Sequence, residues 1–508
     1  MLVLMQASSW LGLHAKLSVI HPTVGCMKIV FVLPYQNDGL EPLGVLYLAG
    51  MLKKAGHEVR AMLPNKRAIA RLFRAFQPDI LAYSVISGWH QEYLALNQWI
   101  RTNLAPNALS VLGGPHPTYF PTFIYQDGVD AICIGEGELA FIEFVARLEE
   151  KEDYFITRNW WVKDNGTIYK NPLRPEIQDL DELPFPDRSL LEAHPSYISE
   201  NSRAFIASRG CPYNCSYCCN HAYRQLYKEN GLTARVRRRS VDNLIAEIQQ
   251  VREEYGMRTV TFFDDVFVSS PDWLDEFAAK YGQRVGLPFD CNLRVEQVSR
   301  QAISALKRAG CTIIAIGIET ADEGMRAAVL RRRYTNDQLQ QACALIHEQG
   351  ILLKTYNLLG LPPGSLQTDW DTLKLNIALQ VDIPTASIFQ PYPRTDLGKR
   401  AKREGYWDGN VDSITQGFYL SSPLKVRDRA KIELLQKLFL VSGKFPVLLP
   451  IVRLILRFAH VGILRRLVFW LHRNVNDLGL LLGRKLHFAE GLRRFLLTKL
   501  SARPRHPV

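Results

Sequence analysis

Four cysteines within nine residues are the part of this 508-residue sequence with the clearest chemical potential. The segment reads Ser208-Arg-Gly-Cys211-Pro-Tyr-Asn-Cys215-Ser-Tyr-Cys218-Cys219. Its spacing puts the thiols of Cys211, Cys215 and Cys218 on one short loop, where they can bind three irons of a [4Fe–4S] cluster and leave the fourth iron open. An open iron can chelate the amino and carboxylate groups of S-adenosylmethionine. Electron transfer into the sulfonium group of that molecule would then cleave it and give a 5′-deoxyadenosyl radical. We interpret Cys219 as a neighbour of the cluster and not as a ligand.

A zinc site is the alternative interpretation of the same segment. Cys218 or Cys219, together with His221, can complete a set of four ligands. Structural zinc, however, prefers two pairs of ligands separated by a loop, and this segment supplies one pair without a second. The pattern therefore favours the iron–sulfur cluster.

The cysteine loop follows the first strand of a repeated strand–helix pattern, which predicts a partial (β/α)6 barrel over residues 201–400. The strands are predicted at Ala204–Ser208, Thr259–Phe263, Phe289–Asn292, Ile313–Ile318, Leu352–Leu358 and Ala386–Phe389. The helices between them are predicted at Val241–Tyr255, Trp273–Gly282, Gln297–Ala309, Asn336–Glu348 and Asp369–Leu379. The cysteines should therefore lie at the carboxyl edge of the barrel.

Residues 27–150 show an earlier alternation of the same kind, which indicates a Rossmann-like α/β domain with a parallel sheet. Its strands are predicted at Lys28–Leu33, Glu58–Met62, Ile80–Ser84, Ser110–Leu112 and Ala131–Ile134, and its helices include Leu43–Ala55, Ala68–Phe76 and Gln91–Asn103. Ligands of such sheets bind at the carboxyl ends of the strands. The candidate loops there are Pro34–Gly44, Ser84–Gly88, Gly113–His116 and Gly135–Glu138.

The rest of the chain divides into three segments. Residues 1–26 are interpreted as an N-terminal extension, since they lack the basic start of a signal peptide. Residues 151–200 are interpreted as a linker with a hairpin that turns at Asn165-Gly166. Residues 401–508 are predicted to be a mainly helical, basic region, and no uncharged stretch is long enough to predict a membrane span.

Charge is concentrated at the end of the chain. The net charge is +12, and residues 441–508 contain thirteen Lys and Arg against Asp477 and Glu490, which leaves +1 for the first 440 residues. The composition, 47% hydrophobic and 22% charged, excludes a disordered or collagen-like chain. A basic segment with interleaved aromatic residues is typical of a membrane interface. A helical cap packed on the barrel remains an alternative, whereas no recognised nucleic-acid motif accompanies the charge.

Several motifs together resemble the cobalamin-binding-domain radical S-adenosylmethionine enzymes, the class B methyltransferase-like group. Tyr217 precedes the last cysteine of the loop as in that family's signature. The other similar pieces are Pro42–Gly50, Leu112–His116, Gly135–Glu138, Leu183–Asp187, Phe262–Asp265, Gly317–Glu319, Leu359–Gly364 and Pro391–Thr395. The resemblance covers residues 27–400.

The resemblance implies three cofactors: a [4Fe–4S] cluster, S-adenosylmethionine and cobalamin. It implies that polar groups at the strand ends of the barrel hold S-adenosylmethionine: Tyr217, Asp264, Asp265, Asn292, Arg294, Gly317 and Glu319. An alternative for Asp264 and Asp265 is capping of the next helix. In the first domain it implies that cobalamin meets Gly113, Gly114, His116, Gly135 and Glu136. Leu40 stands where many cobalamin domains have an axial histidine, so cobalt should lack that ligand.

The implied activity is methylation of an unactivated carbon through a 5′-deoxyadenosyl radical and methylcobalamin, on a small-molecule substrate such as a lipid or isoprenoid. A radical cyclase, oxidase or carbon–carbon coupling enzyme of the same architecture, of a tetrapyrrole or lipid pathway, is the alternative, and a tRNA-modifying enzyme is a third. We expect an electron donor of the flavodoxin or ferredoxin type and no nucleic-acid partner. The odd number of cysteines suits a reducing cytoplasm, with the basic tail able to hold the enzyme peripherally on the inner face of the membrane.

Overall fold

The computed structural model describes residues 25–33, 41–194, 197, 201–268, 270–470 and 472. The chain forms two compact units, residues 1–199 and 200–508. Most of the expected N-terminal extension, the loop Pro34–Leu40 and the basic tail after His472 lie outside the described residues.

The first unit contains a seven-stranded sheet in the order β2-β1-β3-β4-β5-β6-β7. Its strands are β1 Lys28–Val32, β2 Glu58–Met62, β3 Ile80–Ser84, β4 Leu109–Gly113, β5 Ala131–Cys133, β6 Trp160–Asp164 and β7 Thr167–Lys170. Its helices are α1 Leu43–Lys54, α2 Lys66–Ala75, α3 His90–Asn103, α4 Pro115–Tyr119 and α5 Glu138–Glu149. The first five strands are parallel, which confirms the predicted Rossmann-like sheet.

The apolar runs of this unit explain the arrangement. Ile29, Val30 and Leu33 are fully buried, as are Ile80 and Leu81 of β3, because helices cover both faces of a parallel sheet. Since β1 pairs with both β2 and β3, the strand order reverses direction between β1 and β3. Such a reversal opens a crevice at the carboxyl ends of the strands.

The expected hairpin extends this sheet. Asn165 and Gly166 form its turn with φ of 45° and 78°, a combination typical of a tight hairpin turn. Strand β6 pairs antiparallel with β5, so that Ala131 lies opposite Val162. The Trp160 indole donates to the Ala140 carbonyl at 2.9 Å. The hairpin is therefore held to the sheet of the first unit by both backbone pairing and side-chain packing.

The second unit contains a parallel six-stranded sheet in the order β15-β14-β13-β12-β11-β8. The strands are β8 Ser202–Phe205, β11 Thr259–Phe262, β12 Phe289–Leu293, β13 Cys311–Glu319, β14 Leu352–Leu359 and β15 Ile383–Ile388, and a short ladder joins β9 Ser208–Arg209 to β10 Arg237–Arg238. The helices are α6 Cys219–Glu229, α7 Val241–Tyr255, α8 Pro271–Arg284, α9 Arg300–Ala309, α10 Glu323–Ala328, α11 Asn336–Glu348 and α12 Leu366–Ala378. The predicted partial (β/α)6 barrel is confirmed.

The core of this barrel lies between the sheet and its helices. Phe262 packs edge to face on Phe277 and Phe289, with ring centroids 5.7 and 5.4 Å apart. Such aromatic pairs add stability beyond the area that they bury. One face of each strand is therefore fixed by packing against the helices, and the other face remains available for polar groups.

The C-terminal region is helical, as predicted. It comprises α13 Asp396–Arg403, α14 Arg429–Lys444, α15 Leu449–Arg457 and helical residues 462–470. Helix α14 packs on β15 and α12 through Ile432, Leu435 and Phe439. Within the described ranges, no helix combines the length and apolarity required to cross a membrane.

Candidate active site

The cysteine loop lies directly after β9, at the carboxyl edge of the six-stranded sheet. Gly210 has a φ of +89°, and a Cβ there would lie 3.1 Å from the Arg235 carbonyl oxygen, so the turn before Cys211 is one that glycine permits. The loop ends where α6 begins at Cys219. The structure thus places Cys211, Cys215 and Cys218 on the loop and Cys219 in the first turn of the helix.

Asp264 fixes the backbone segment that directly precedes the cysteine loop. Its buried carboxylate accepts hydrogen bonds from the Ala207 amide, at 3.0 Å, and from the Ser208 hydroxyl. Burial raises the pKa of Asp264 to about 6, against the effect of these two donors. The Asn292 amide donates to the Asp264 carbonyl oxygen at 3.0 Å. The next helix is capped by Ser270, so neither aspartate serves as its N-cap.

Arg294 brings a positive charge to the cysteine loop. Its guanidinium donates to the Cys215 sulfur at 2.9 Å and stacks 3.8 Å from the ring centroid of Tyr213. Glu296 accepts from the same guanidinium at 2.6 Å and fixes its position. A cation in this place stabilises a thiolate or a negatively charged cluster sulfur.

Glu319 is the centre of a second group of contacts. Its carboxylate accepts from the Tyr217 hydroxyl at 2.8 Å and pairs with Arg332 at 2.8 Å. The side chains of Glu319 and Arg332 are only 7% and 6% exposed. Glu319 also has a φ of +65°, which costs free energy in a residue other than glycine or asparagine and is typical of functional sites.

Gly317 provides the space for this network. A Cβ there would lie 2.2 Å from a Glu319 carboxylate oxygen and about 3 Å from the Arg332 guanidinium. The Gly317 carbonyl accepts from Arg332 at 3.0 Å and from the Tyr334 hydroxyl at 2.6 Å. The β13–β14 register is irregular at the same point. The end of β13 is thus shaped to direct Glu319 toward Tyr217.

The three thiols suit the proposed cluster. Burial raises the pKa of Cys211, and it raises that of Cys218 to about 12, with a small addition from the charge of the exposed Asp265 carboxylate. Thiols with raised pKa values hold their protons, so ligation of Cys211 and Cys218 would release protons. In the part of the chain that the structure describes, no three His, Cys, Asp or Glu side chains converge on one metal ion. A [4Fe–4S] cluster does not require this, because each thiolate binds a different iron.

The inner face of the sheet carries polar groups beside the network. The Tyr356 hydroxyl donates to the Asn292 side chain at 3.2 Å, across the intervening strand β13. Thr261 donates to Asp290 at 2.9 Å on the neighbouring strands. Tyr356 remains 38% exposed. These side chains form a partly open surface that a substrate can contact.

Arg332, Tyr334 and Tyr356 were not predicted from the sequence. The strand ends indicated where the other barrel residues lie, but not which of them contact one another. Arg332 lies in a basic run, Arg331-Arg332-Arg333, in which spacing does not distinguish one arginine. Tyr356 alternates with the helix-facing residues of β14, and that alternation was the available signal for its position.

In the first unit, three loops leave the carboxyl ends of β3, β4 and β5, and each contains a glycine with positive φ: Gly88, Gly114 and Gly135, at 95°, 93° and 85°. A Cβ on Gly114 would lie 2.9 Å from the Val85 amide nitrogen. The loops therefore approach one another at backbone distance, which side chains would prevent. A side chain on Gly114 would not fit there, so the backbone of this loop is accessible to a ligand at the edge of the sheet.

His116 lies below this edge and is buried. Its ring stacks on His90 at 4.2 Å, and its Nδ1 is 3.0 Å from the Ser87 hydroxyl. Phe120 and Phe123 pack on the same ring. His116 thus fixes the loops that follow β3 and β4, next to Gly113 at the end of β4.

Glu136 makes contacts within the first unit. Its carboxylate accepts from the Ile177 amide at 3.0 Å, and its carbonyl accepts from Asn159 at 2.9 Å. These bonds tie the loop after β5 to the segment beyond the hairpin. The neighbouring Gly135 amide donates to the Thr118 hydroxyl at 3.2 Å.

Comparison with protein-family models gives two matches. Residues 205–375 match the radical SAM superfamily, and residues 34–145 match the B12 binding domain. The first match begins at the last residue of β8 and covers the cysteine loop and the strands β11 to β14. The second covers the loops of the first unit that contain Gly114, His116 and Gly135.

Curated relatives extend over both units. An uncharacterized methyltransferase of Pyrococcus horikoshii is 28% identical over 394 residues, 74% of this chain and 83% of the relative. The anaerobic magnesium-protoporphyrin IX monomethyl ester cyclase of Cereibacter sphaeroides is 29% identical and matches 73% of this chain and 63% of its own length. A hopanoid C-3 methylase of Methylococcus capsulatus is 23% identical, with 77% and 73% covered.

Solved structures show the same fold. The radical S-adenosylmethionine methyltransferase TsrM from Kitasatospora setae, with cobalamin and a [4Fe–4S] cluster bound, has a TM-score of 0.60 at 16% identity and covers 74% of this chain and 78% of its own. The cobalamin-dependent radical enzyme OxsB, in its apo form, has a TM-score of 0.63 at 16% identity and covers 93% and 75%. At this level of identity, the likeness shows a shared fold.

Proposed function

We propose that this chain, which is a cobalamin-dependent radical S-adenosylmethionine enzyme, methylates an unactivated carbon of an apolar substrate of the lipid or isoprenoid class. The observation that carries this proposal is the loop of Cys211, Cys215 and Cys218 at the carboxyl edge of a partial barrel, in a chain that also contains a B12-binding domain. One chain then supplies both the radical and the methyl group.

The barrel residues would bind and orient the first two cofactors. Cys211, Cys215 and Cys218 would ligate the cluster, and Arg294 would stabilise its charge through Cys215. When bound, the cluster and S-adenosylmethionine supply a radical that can remove a hydrogen atom from a carbon, and cobalamin supplies a methyl group. Glu319, held by Arg332 and Tyr217, offers a fixed carboxylate oxygen to the ammonium or ribose of S-adenosylmethionine.

An apolar substrate class is supported by two observations. Phe263 follows β11 directly, at the same edge as the cysteine loop, and is 37% exposed, while the ring of Tyr356 is exposed on the inner face. Aromatic rings in these places can pack on the apolar part of a ligand, beside the polar groups of the same face. The hopanoid methylase named above acts on a polycyclic lipid according to its name.

The experiment is anaerobic turnover of the reconstituted full chain with a lipid extract and S-adenosylmethionine that carries a deuterated methyl group. The proposal predicts a lipid that gains one labelled methyl group, with 5′-deoxyadenosine formed in the same reaction. A Cys215→Ser variant should form neither product, because it lacks one cluster ligand. Labelled methyl on no lipid, despite formation of 5′-deoxyadenosine, would reject the lipid substrate.

A radical cyclase is the second candidate, because the relative from Cereibacter sphaeroides is a cyclase and shares 29% identity with this chain. The cyclase would need the same cluster and the same network around Glu319. It would differ in the fate of the substrate radical, which closes a ring and accepts no methyl group. A tetrapyrrole extract in the same assay, analysed for unlabelled ring-closed product, tests this candidate.

We also propose the partners that this chemistry requires. Reduction of the cluster needs a one-electron donor of the flavodoxin or ferredoxin type in a reducing cytoplasm. A peripheral contact of the basic C-terminal region with the inner face of the membrane would bring the enzyme to a lipid substrate. The concentration of positive charge in residues 441–508 supports this contact.

A further inference from the structure

Residues 447–458, which include helix α15, and the helical residues 462–470 carry an exposed apolar stripe, which we call the apolar ridge. Its members are between 48% and 81% exposed: Val447, Ile451, Leu454, Phe458, Ile463, Leu467 and Trp470. They recur every three or four residues in each of the two segments, which puts the members on each helix along one of its faces. Isolated apolar residues at a surface are ordinary, whereas a continuous stripe marks an interaction site.

The opposite faces of the same helices are packed against the barrel. Val452, Leu456, Ala459 and Val468 are buried in a cluster with residues of β14, β15, α12 and α14. The Arg465 guanidinium pairs with Glu433 of α14 at 3.0 Å. These contacts with the barrel do not include the ridge residues, so packing of the fold does not explain the ridge.

Positive charge flanks the ridge. Arg453, Arg457 and Arg466 are exposed beside it, and Arg453 also stacks 4.9 Å from the ring of Trp370. The sequence has no Asp or Glu between Glu433 and Asp477. An apolar surface with arginines along its sides matches the boundary between acyl chains and phosphate groups in an anionic bilayer.

A second copy of this chain fits the ridge less well. A symmetric dimer would bring the same patch of both copies together. The arginines of both copies would then lie in one interface, with no carboxylate on the ridge to offset their charge. An anionic lipid surface supplies both the apolar phase and the counter-charge.

We propose that the apolar ridge inserts into the acyl boundary of an anionic lipid bilayer, with Arg453, Arg457 and Arg466 on lipid phosphates. This deepens the proposed membrane contact, because it assigns the binding to seven apolar side chains of the folded protein and not to the charge of the tail. Phospholipid headgroups and acyl chains together are the ligand.

Cosedimentation of the reconstituted full chain with vesicles tests this assignment. Vesicles of phosphatidylcholine with phosphatidylglycerol should bind the chain, and phosphatidylcholine alone should bind it less. The double variant Leu454→Glu with Phe458→Glu should bind at least tenfold more weakly, since two inserted groups become charged. The control is Tyr125→Glu with Ile156→Glu, which adds the same charge at exposed apolar positions of the first unit and should bind within twofold of the unaltered chain.

The proposal is overturned if the unaltered chain does not bind, if the ridge variant binds equally well, or if the control variant loses binding to the same extent. A chain that ends after His472 should retain binding to the mixed vesicles. Complete loss of binding by this chain would assign the contact to the tail.

Sedimentation without vesicles should give the same mass for the unaltered chain and the ridge variant. A dimer that the ridge substitutions dissociate would show that a second copy covers the ridge. Turnover is not measured, so failure of the proposed methylation leaves this test unaffected.

Discussion

Glu319 combines a left-handed backbone conformation with a buried ion pair to Arg332 and a hydrogen bond from Tyr217. The left-handed backbone and the burial of two charges cost free energy unless the surrounding structure offsets it, and the hydrogen bond from Tyr217 is one such compensating contact. Their coincidence, on the rim that carries the cysteine loop, makes Glu319 the residue on which binding of S-adenosylmethionine is expected to depend most.

We expect Glu319→Gln to reduce the formation of 5′-deoxyadenosine more than tenfold, because the neutral amide removes the charge that Arg332 and the cofactor share. The loss of one buried partner should also lower the free energy of unfolding by about 3 kcal/mol. Glu247→Gln is the matched control, since it breaks the buried Arg239–Glu247 pair of the same unit. The control should lose similar stability and keep cofactor cleavage. Equal loss of cleavage in both variants would reduce Glu319 to a structural role.

The cysteine assignment is tested by the iron and sulfide content after anaerobic reconstitution. Cys218→Ser should lose the cluster, since serine replaces a thiolate ligand. Cys219→Ser should retain it, because Cys219 begins helix α6 and lies outside the three-thiol loop in our assignment. A cluster that depends on Cys219 and survives loss of Cys218 would reverse the assignment.

At the level of single residues, sequence patterns were enough to locate a residue in the fold where motif spacing or the end of a strand marks its position. The C-x3-C-x2-C spacing identified the cysteine loop, and the strand ends located Arg294 and Glu319. Arg332 lies thirteen residues after Glu319, in a basic run. Only the fold of the chain between them brings these two side chains together, so no local pattern could have predicted the pair.

At the level of elements, strand β13 has a glycine, Gly317, where the side chains of Glu319 and Arg332 leave no space for a Cβ. Gly317→Ala should displace both side chains and reduce 5′-deoxyadenosine formation at least tenfold, because the added Cβ overlaps a Glu319 oxygen. Gly282→Ala in α8 is the control, since its Cβ would have an ordinary 3.5 Å contact. That change should leave activity intact and stabilise the helix by up to about 1 kcal/mol. Full activity of the Gly317 variant would show that formation of 5′-deoxyadenosine does not require glycine at this position.

Helix α12 begins beside a buried carboxyl group that makes stability dependent on pH. Asp369 accepts a hydrogen bond from the Gly360 amide at 3.0 Å, and burial raises its pKa to about 8. The unfolded chain loses this proton near pH 4, as Asp ordinarily does. Between the two values the folded state binds more protons, so the stability that the protonated group provides is lost as pH rises toward 8.

Asp369→Asn should remove this dependence, because the amide keeps the acceptor and carries no charge. As pH rises from about 5 to about 9, we expect the free energy of unfolding of the variant to increase relative to that of the unaltered chain, by a few kcal/mol at most. Urea unfolding at several pH values measures the difference. A constant difference across this range would show that Asp369 is ionised in the folded protein at every pH.

The limits of sequence-based prediction were clearest at element boundaries. The first barrel strand was predicted at Ala204–Ser208, but the ladder divides into β8 and β9 because the Ala207 amide bonds the Asp264 side chain. The last strand begins earlier than predicted and includes Pro384, which is tolerated because β15 lies at the edge of the sheet. Both deviations depend on tertiary contacts that residue propensities do not contain.

At the level of the whole molecule, the charge of the chain and its chemistry belong to different regions. The net charge of the first 440 residues is close to zero, while the cysteine loop and the B12-binding domain both lie within them. The described part of the basic region packs on the barrel through one face and exposes the apolar ridge on the other. Position in the cell and catalysis are therefore expected to be separable by mutation.

The ratio of two products in one anaerobic reaction tests the central claim most directly. Radical methylation converts one S-adenosylmethionine to 5′-deoxyadenosine and methionine. It converts a second to S-adenosylhomocysteine, because that molecule restores the methyl group that cobalamin has given to the substrate. The account predicts equal amounts of 5′-deoxyadenosine and S-adenosylhomocysteine in the presence of cobalamin and substrate, and neither product from Cys215→Ser. Sustained 5′-deoxyadenosine formation with substrate consumed and no S-adenosylhomocysteine would contradict methylation and favour the cyclase.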